Sequence, residues 1–201
     1  TERDEFIYDE MITHVPMAVH PNVQDVLVIG AGDGGVVKEL ARYECIQSID
    51  LVEMDEQVVN ACRQYLPENA CRLDDKRVHI YFDNALRFIR RRKAQYDLII
   101  VDSTDPFGPS EGYFTREFYG ICYNALKDDG IMVNQQGSPF YRHDAQAMQR
   151  SHKRIVNTFP ISRSTRPTSP PMPPATGCSA LPARSTTPSM TSTGRSGSSC
   201  I

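Results

Sequence analysis

Residues 25–35 read DVLVIGAGDGG, a short apolar run that leads into glycines around one aspartate. A run rich in Val and Ile and bounded by Gly and Asp predicts a buried β-strand. The glycines predict a tight turn into a helix, where the backbone at Gly30 and Gly32 can approach a ligand without an intervening Cβ. Because the same pattern serves several nucleotide ligands, and also plain tight turns, it indicates a strand-end site without identifying the ligand.

Four more apolar runs of this kind occur at residues 49–53, 77–82, 96–102 and 130–135. The segments between them space their apolar residues with helical periodicity. Strands that are apolar along nearly their whole length are buried on both faces, which predicts a parallel sheet with helices on each side. We therefore expect one α/β domain with a Rossmann-like, doubly wound and mainly parallel sheet. In such sheets ligands bind outside the carboxyl ends of the strands.

Composition narrows the class of partner. Residues 1–163 carry 19 Lys and Arg against 25 Asp and Glu, which argues against nucleic acid and favours a cationic partner. No apolar run reaches the length of a membrane span, so we expect a soluble protein without a membrane partner. The six cysteines lack the spacing of a zinc site, and we interpret them as buried thiols of a reducing, cytoplasmic setting, with no metal.

Acidic residues follow the first three predicted strands. Asp33 lies within the glycine loop, where a pyrophosphate would be repelled, so the ligand at this turn is expected to be cationic. Glu53 ends the second strand about twenty residues later, the spacing at which an acid accepts hydrogen bonds from ribose hydroxyls. After the third strand, Asp83 or Asn84 can meet an adenine edge, or Asp83 can simply cap the next helix. The loop and the acid together favour an adenosine-type ligand.

The fourth strand ends within VDSTDPFGP, residues 101–109, which sets Asp102 and Asp105 three residues apart beside the rigid Pro106. An ordinary turn is the alternative interpretation of an Asp-Pro dipeptide. The acids at the neighbouring strand ends favour a common pocket instead. An alkyl ammonium has a pKa near 10 and must lose a proton before its nitrogen attacks a carbon, and a carboxylate can bind the cation and accept that proton.

Four segments closely resemble the spermidine synthases, the polyamine aminopropyltransferases. They are TERDEFIYDEMITHVPM (1–17), VLVIGAGDGGVVKEL (26–40), LVEMD (51–55) and YDLIIVDSTDPFGPSEGYFTREFY (96–119), and the resemblance runs from Thr1 to about Arg163. It implies the sheet of the S-adenosylmethionine-dependent transferases. It also implies transfer of an aminopropyl group from decarboxylated S-adenosylmethionine, a co-substrate rather than a cofactor, to putrescine, giving spermidine and 5′-methylthioadenosine without a metal. A cytoplasmic homodimer or homotetramer is implied for a full-length protein, with a β-rich domain upstream of this chain.

The resemblance also implies roles for individual residues. Asp102 would be the base that takes the amine proton, and Asp33 would hold the aminopropyl ammonium and repel the carboxylate of intact S-adenosylmethionine. The residues implied to bind the donor nucleoside are Gly30, Gly32, Glu53, Asp83 and Asn84. The residues implied to bind substrate amines or line their channel are Asp33, Asp105, Tyr8, Asp9 and Gln135. The role of Gln135 is left open.

Two positions depart from the family pattern. Asp9 stands where Gln or His is usual, and Asn84 with Ala85 replaces a turn that usually contains Gly. We expect altered amine affinity rather than lost chemistry. Two other functions remain as alternatives: an S-adenosylmethionine-dependent methyltransferase, against which Asp33 and the paired aspartates argue, and a non-catalytic polyamine-binding protein or inactive fragment.

The composition changes abruptly from Ser164. Of the last 38 residues, 26 are Ser, Thr, Pro or Gly and none is acidic, so we expect residues 164–201 to be a disordered tail after a catalytic domain at 1–163. We favour a reading-frame error near Arg163 as the cause. Codons can be chosen for this tail that, read one nucleotide earlier, spell VYQAHIPTYAAGHWLF, which resembles the family's amine-binding segment. The nucleotide sequence tests this hypothesis, under which the chain is a fragment shortened at both ends.

Overall fold

The computed structural model describes residues 5–103, 108–136, 142–165 and 177–182. The strands are β1 Asp25–Gly30, β2 Ser48–Glu53, β3 Val78–Phe82, β4 Tyr96–Asp102, β5 Leu126–Gln136, β6 Arg163–Thr165 and β7 Gly177–Pro182. The helices are α1 Glu5–Val19, α2 Gly35–Leu40, α3 Glu56–Tyr65, α4 Pro67–Ala70, α5 Ala85–Ile89, α6 Arg116–Ala125 and α7 Arg142–Val156, with a 3₁₀ helix at Gly108–Phe114.

One sheet contains all seven strands, in the order β3-β2-β1-β4-β5-β7-β6. The pairs from β3 to β5 are all parallel, which confirms the predicted α/β class and the mainly parallel sheet. The predicted strand ends agree with the structure to within a residue or two at β1 to β4, and β5 begins earlier than the sequence pattern indicated. The strand order doubles back at β1, where β2 lies on one side and β4 on the other.

Helices cover both faces of the sheet because the strands are apolar on both. In β1, Val26 and Val28 belong to one buried cluster and Leu27 and Ile29 to the other, as the two-residue period of a strand requires. The first cluster includes apolar side chains of α1 to α4, and the second includes those of α5 to α7. The core thus consists of two layers that fix the carboxyl ends of β1, β2 and β4 relative to one another.

The carboxyl ends of β1 and β4 meet at the switch in strand order. Gly30 is in register with Asp102, and the backbone N–H of Ala31 donates to the carbonyl oxygen of Asp102 at 3.2 Å. Gly30 has φ of +80°, a left-handed conformation that turns the chain away from the sheet toward α2. This is the crevice in which an open parallel sheet binds its ligand.

The tail contributes two short strands that the sequence pattern did not predict. β7 pairs antiparallel with β5, and β6 pairs antiparallel with β7 at the edge of the sheet. At these residues the structure differs from the disordered tail that was expected, because backbone pairing to β5 needs no aromatic or acidic side chain. The rest of the tail lies outside the described residues, and the boundary at residue 163 stays a prediction.

In the described part of the chain, no helix is long and apolar enough to cross a membrane. Cys45, Cys62, Cys71 and Cys122 have free thiols. Cys122 is buried in the core as predicted, whereas Cys71 is exposed. The interpretation of the cysteines as core residues is therefore wrong for Cys71.

Candidate functional site

Tyr8 and Asp102 form the contact at the centre of the crevice. The hydroxyl of Tyr8, on α1, donates to Oδ1 of Asp102, at the end of β4, over 2.5 Å. Burial raises the pKa of Asp102 to about 6, and the Tyr8 hydrogen bond opposes this shift while the charges of Asp33 and Glu53 add to it. At neutral pH Asp102 is thus mostly a carboxylate with unusual affinity for a proton.

Asp33 lies beside this pair, in the loop between β1 and α2. Its Oδ1 accepts a weak hydrogen bond from the backbone N–H of Gly35 at 3.4 Å, and its Oδ2 accepts one from Nδ2 of Asn69 at 3.5 Å. Both contacts are long, so Asp33 keeps much of its capacity to accept further hydrogen bonds. The side chain is only partly buried, which leaves it accessible to a ligand.

Asp9 lies on the same helix as Tyr8 and is almost fully buried, with 3% of its surface exposed. It packs against the first residue of α2: a Cβ built on Gly35 would lie 2.3 Å from its Oδ2. A side chain at residue 35 would therefore require the Asp9 carboxyl group to shift. The structure places Asp9 in the acidic cluster, since the charges of Asp33 and Asp102 both act on it.

Glu53 ends β2 next to the glycine loop. Its Oε1 accepts hydrogen bonds from the backbone N–H groups of Met54 at 2.7 Å and Asp55 at 3.1 Å. Its Oε2 faces Gly32, where a Cβ would lie at 3.0 Å. One oxygen thus fixes the side chain and the other points toward the loop, which is the arrangement that a ribose-binding acid needs.

Asp83 and Asn84 follow β3 and make different hydrogen bonds. Oδ1 of Asn84 accepts from the backbone N–H of Arg87 at 3.3 Å and caps α5, so the capping role that was open to Asp83 belongs to Asn84. Asp83 pairs with the guanidinium of Arg87 and accepts from the backbone N–H of Asn84 at 2.6 Å. The Arg87 hydrogen bonds keep the pKa of Asp83 below its usual range.

Gln135 lies near the end of β5 and is buried, with 7% of its surface exposed. Its Oε1 has no hydrogen-bond partner among the described residues, which is unusual for a buried amide. Asp105 lies outside the described residues, as does Pro106. The structure therefore brings together Asp9, Asp33, Glu53 and Asp102, and their assigned roles stay predictions.

Two contacts at the site were missed by the reasoning from sequence. Asn69, in α4, reaches Asp33 across 36 positions of chain, and no local pattern signals such a contact. Arg87 lies four positions after Asp83, the spacing of a helical ion pair, so that contact had a signal in the sequence.

A separate group of side chains, on α1 and α2, has the composition of a metal site. Glu10, His14 and Glu39 each offer a ligand atom, and these atoms lie within 4.8 Å of one another. However, Glu39 already pairs with the guanidinium of Arg42 at 2.6 Å and with His14 at 3.2 Å. We interpret the group as an ion-pair cluster that links α1 to α2.

Comparison with known proteins gives the family. The model of the spermine/spermidine synthase domain matches residues 5–173. A polyamine aminopropyltransferase of Lachnoclostridium phytofermentans is 60% identical over 162 residues, which cover 81% of this chain and 57% of the relative. One of Clostridium perfringens is 62% identical over 163 residues, covering 81% of this chain and 58% of the relative.

Solved structures agree with these matches. A spermidine synthase crystallised with the transition state analogue AdoDATO has a TM-score of 0.84 and 39% identity, covering 91% of this chain and 62% of that one. Spermidine synthase from Thermotoga maritima has a TM-score of 0.82 and 38% identity, with the same coverage. This chain thus spans less than two thirds of the length of these relatives. The residues of the crevice, the fold and the matched domain together show that the chain belongs to the spermine/spermidine synthase family.

Proposed function

We propose that this chain carries the catalytic part of a spermidine synthase, which transfers the aminopropyl group of decarboxylated S-adenosylmethionine to putrescine. The observation that carries the proposal is the Tyr8–Asp102 contact at 2.5 Å within a cluster of carboxylates at the strand-order switch. A sulfonium donor and a diamine acceptor are both cations, and this crevice has the charge to bind them.

In the proposed reaction the amine nitrogen attacks the aminopropyl carbon bonded to sulfur. The new C–N bond forms as the C–S bond breaks, and sulfur keeps the electron pair and leaves as the neutral thioether of 5′-methylthioadenosine. The proton of the attacking amine passes to the carboxylate of Asp102. Because the sulfonium is already a good leaving group, the remaining requirement is to position the two reactants in line.

The pKa of Asp102 suits this role. A base with a pKa of about 6 is ionised at neutral pH and still accepts a proton more readily than an ordinary carboxylate. Tyr8 holds one carboxylate oxygen, which leaves the other to face the amine. The hydrogen bond therefore both orients the base and limits the rise of its pKa.

The other residues are assigned to the two substrates. Asp33 would bind the ammonium of the donor, and Glu53 its ribose. Asp83 with Asn84, beside the glycines at 30 and 32, would line the adenine end. Asp105, Asp9 and Gln135 would contribute to amine binding. We further propose putrescine as acceptor, cytoplasmic location, no cofactor or metal, and a homodimer or homotetramer for the full-length enzyme.

The test is an assay of the purified chain with decarboxylated S-adenosylmethionine and putrescine, following 5′-methylthioadenosine by chromatography. A second protein, in which residues 164–201 are replaced by the sequence of the shifted frame, is assayed beside it. Product from either protein, and none with intact S-adenosylmethionine, supports the proposal. No product from either, with binding of intact S-adenosylmethionine, would instead favour a methyltransferase.

Replacing Tyr8 with Phe is expected to shift the pH–rate profile. The Tyr8 hydrogen bond lowers the pKa of Asp102, so its loss raises that pKa and moves the acidic limb of the profile to higher pH. If the pKa rises by about one unit, the rate on the acidic limb falls about tenfold and recovers at alkaline pH.

Tyr43→Phe is the matched control for this variant. It also removes a tyrosine hydroxyl that bonds to α1, here Nδ1 of His14 at 2.7 Å, without touching Asp102. We expect its profile to match that of the unaltered chain. A Tyr8→Phe profile that keeps its acidic limb in place would contradict the assigned role of the hydrogen bond.

A further inference from the structure

Asp83 lies beside Glu53 at the carboxyl edge of the sheet. It follows β3, and its backbone N–H donates to the carbonyl oxygen of Glu53, at the end of β2, at 3.1 Å. The two strands pair in parallel, so both acids lie at the edge where an open parallel sheet binds its ligand. Because Glu53 is the proposed ribose-binding acid, Asp83 lies toward the purine end of the same ligand.

The two oxygens of the Asp83 carboxylate are used unequally. Oδ1 accepts hydrogen bonds from the backbone N–H of Asn84 at 2.6 Å, from Nε of Arg87 at 2.7 Å and from Nη2 of Arg87. Within the part of the chain that the structure describes, Oδ2 accepts none. The usual paired contact of a guanidinium with a carboxylate takes both oxygens through two parallel N–H groups. Here both N–H groups converge on one oxygen, which leaves the other to a ligand.

Arg87 is itself held by the turn between β3 and α5. Its backbone N–H donates to Oδ1 of Asn84, the N-cap of α5, at 3.3 Å. Its side chain then reaches back four positions to Asp83. Because the backbone and the side chain of Arg87 bind the same turn, the guanidinium approaches the carboxylate from a fixed direction.

Two neighbouring arginines line one cavity with Arg87 but make no hydrogen bond to Asp83. Nη2 of Arg90 pairs with Oε1 of Glu117 at 2.7 Å. Arg91 acts on Asp83 through its charge alone. The hydrogen bonds to Asp83 are therefore particular to Arg87, and Arg91 is a control of equal charge.

Two other acids of the crevice are held in the same one-sided way. Oε1 of Glu53 accepts from two backbone N–H groups, while its Oε2 points toward the glycine loop. Oδ1 of Asp102 accepts from the hydroxyl of Tyr8. At Asp83 the guanidinium of Arg87 does what backbone N–H groups do at Glu53: it fixes one oxygen and so directs the other.

We propose that Arg87 is a positioning residue for the purine of the donor, holding Oδ1 of Asp83 so that Oδ2 accepts a hydrogen bond from the exocyclic amino group of adenine. This inference rests on the proposed function. Arg87 acts through Asp83 and not by contact with the donor. An ionised carboxylate only accepts hydrogen bonds, so it pairs with the amino group and cannot pair with a hydrogen on carbon. Arg87 thus contributes to the selection of adenine.

The test is calorimetric titration of the purified chain with 5′-methylthioadenosine and with its analogue that has hydrogen in place of the 6-amino group. The unaltered chain is expected to bind 5′-methylthioadenosine about tenfold more tightly, the effect of one hydrogen bond. Arg87→Gln should lower this ratio to about threefold or less, because the Asp83 carboxylate is then free to turn. Arg91→Gln is the matched control and should keep the ratio of the unaltered chain.

Asp83→Ala tests whether Arg87 acts through Asp83. Without the carboxylate the ratio of the two affinities should approach one, and adding Arg87→Gln to Asp83→Ala should not change it further. If Arg87 had only a structural role, its replacement would change the ratio equally in both backgrounds. Each ratio compares two ligands on one protein, so a lower folded fraction affects both affinities and cancels.

Titration of the Asp83 carboxyl by NMR spectroscopy checks the contact without any ligand. The Arg87 hydrogen bonds keep the pKa of Asp83 below its usual range. Arg87→Gln should therefore raise this pKa toward its ordinary value, and Arg91→Gln should raise it less. A pKa in Arg87→Gln equal to that of the unaltered chain would overturn the contact.

The outcomes separate this inference from the proposed function. If neither ligand binds, the donor site itself is wrong and the inference falls with it. If both bind and the ratio persists in Arg87→Gln, the role of Arg87 is wrong and the donor site stands. The side chain of Arg87 is 70% exposed, so we expect the variant to fold. A ratio of about one in the unaltered chain would also refute the inference, and that measurement needs no variant.

Discussion

Asp102→Asn is expected to abolish aminopropyl transfer while leaving donor binding largely intact. The amide has the shape of the carboxylate and can still accept the hydrogen bond from Tyr8, but it cannot take the proton of the attacking amine. Removing a general base costs about 10² to 10⁴ in rate, and a protonated ammonium that is not relieved of its proton is no nucleophile. We therefore expect the transfer rate to fall about 10³-fold, which is the middle of that range. The measurement is single-turnover formation of 5′-methylthioadenosine, with donor affinity measured in parallel by calorimetry.

Asp97→Asn is the matched control for this result. Asp97 lies on the same strand and is also buried, but it is at the opposite end, where it binds Lys127 Nζ at 2.9 Å and the backbone N–H groups of Gln24 and Asp25. We expect Asp97→Asn to lower the free energy of unfolding and to leave the chemical step unchanged. An undiminished rate in Asp102→Asn would remove Asp102 from the role of base, and another group would have to accept the proton.

The sheet could be predicted from the sequence because its signal is local. Each of the five parallel strands is a short apolar run between helical segments, and both the class and the strand ends follow from that alternation. The order of the strands has no such local signal. The pairing of β1 with β4, which creates the crevice, joins segments about seventy residues apart and is determined by packing of the whole domain.

The residues of the candidate site that lie at the carboxyl ends of strands could be predicted from the sequence. Glu53 and Asp102 end their predicted strands and Asp33 lies in the loop after another, so the sheet alone brings them to one edge. Tyr8 lies 94 positions from Asp102, on a helix that precedes the sheet, and only the family resemblance indicated it. The bond between them, the packing of Asp9 on Gly35 and the approach of Asn69 to Asp33 depend on tertiary distances that no spacing in the sequence encodes.

The tail contains structure that its composition did not predict. Its composition predicts no core, yet residues 177–182 pair with β5 in the structure. Strand pairing uses backbone groups, which every residue except proline supplies, so composition is a weak guide to whether a segment adds to an exposed sheet edge. The reading-frame hypothesis is independent of this observation, and the nucleotide sequence tests it.

Gly30→Ala is expected to destabilise the fold and to displace the proposed base at the same time. Gly30 has φ of +80°, and a Cβ there would lie 2.0 Å from the carbonyl oxygen of Asp102. The left-handed conformation alone costs a residue with a Cβ about 1–2 kcal/mol, and the overlap adds to this because the atom that must move is backbone. We therefore expect the free energy of unfolding, measured in urea, to fall by at least about 2 kcal/mol.

The effect on transfer follows from the same contact. Relief of the overlap requires β1 and β4 to separate at their carboxyl ends, which moves Asp102, and a displacement of about 1 Å at a catalytic group costs about 10² in rate. Gly120→Ala is the matched control, since nothing lies within 4 Å of a Cβ at that position in α6. A helical Gly→Ala change there should stabilise the chain by about 0.5–1 kcal/mol with transfer unchanged. If Gly30→Ala matched Gly120→Ala in both measurements, the tight approach of β1 to Asp102 would be wrong, and the position of the proposed base relative to the glycine loop would have to be redrawn.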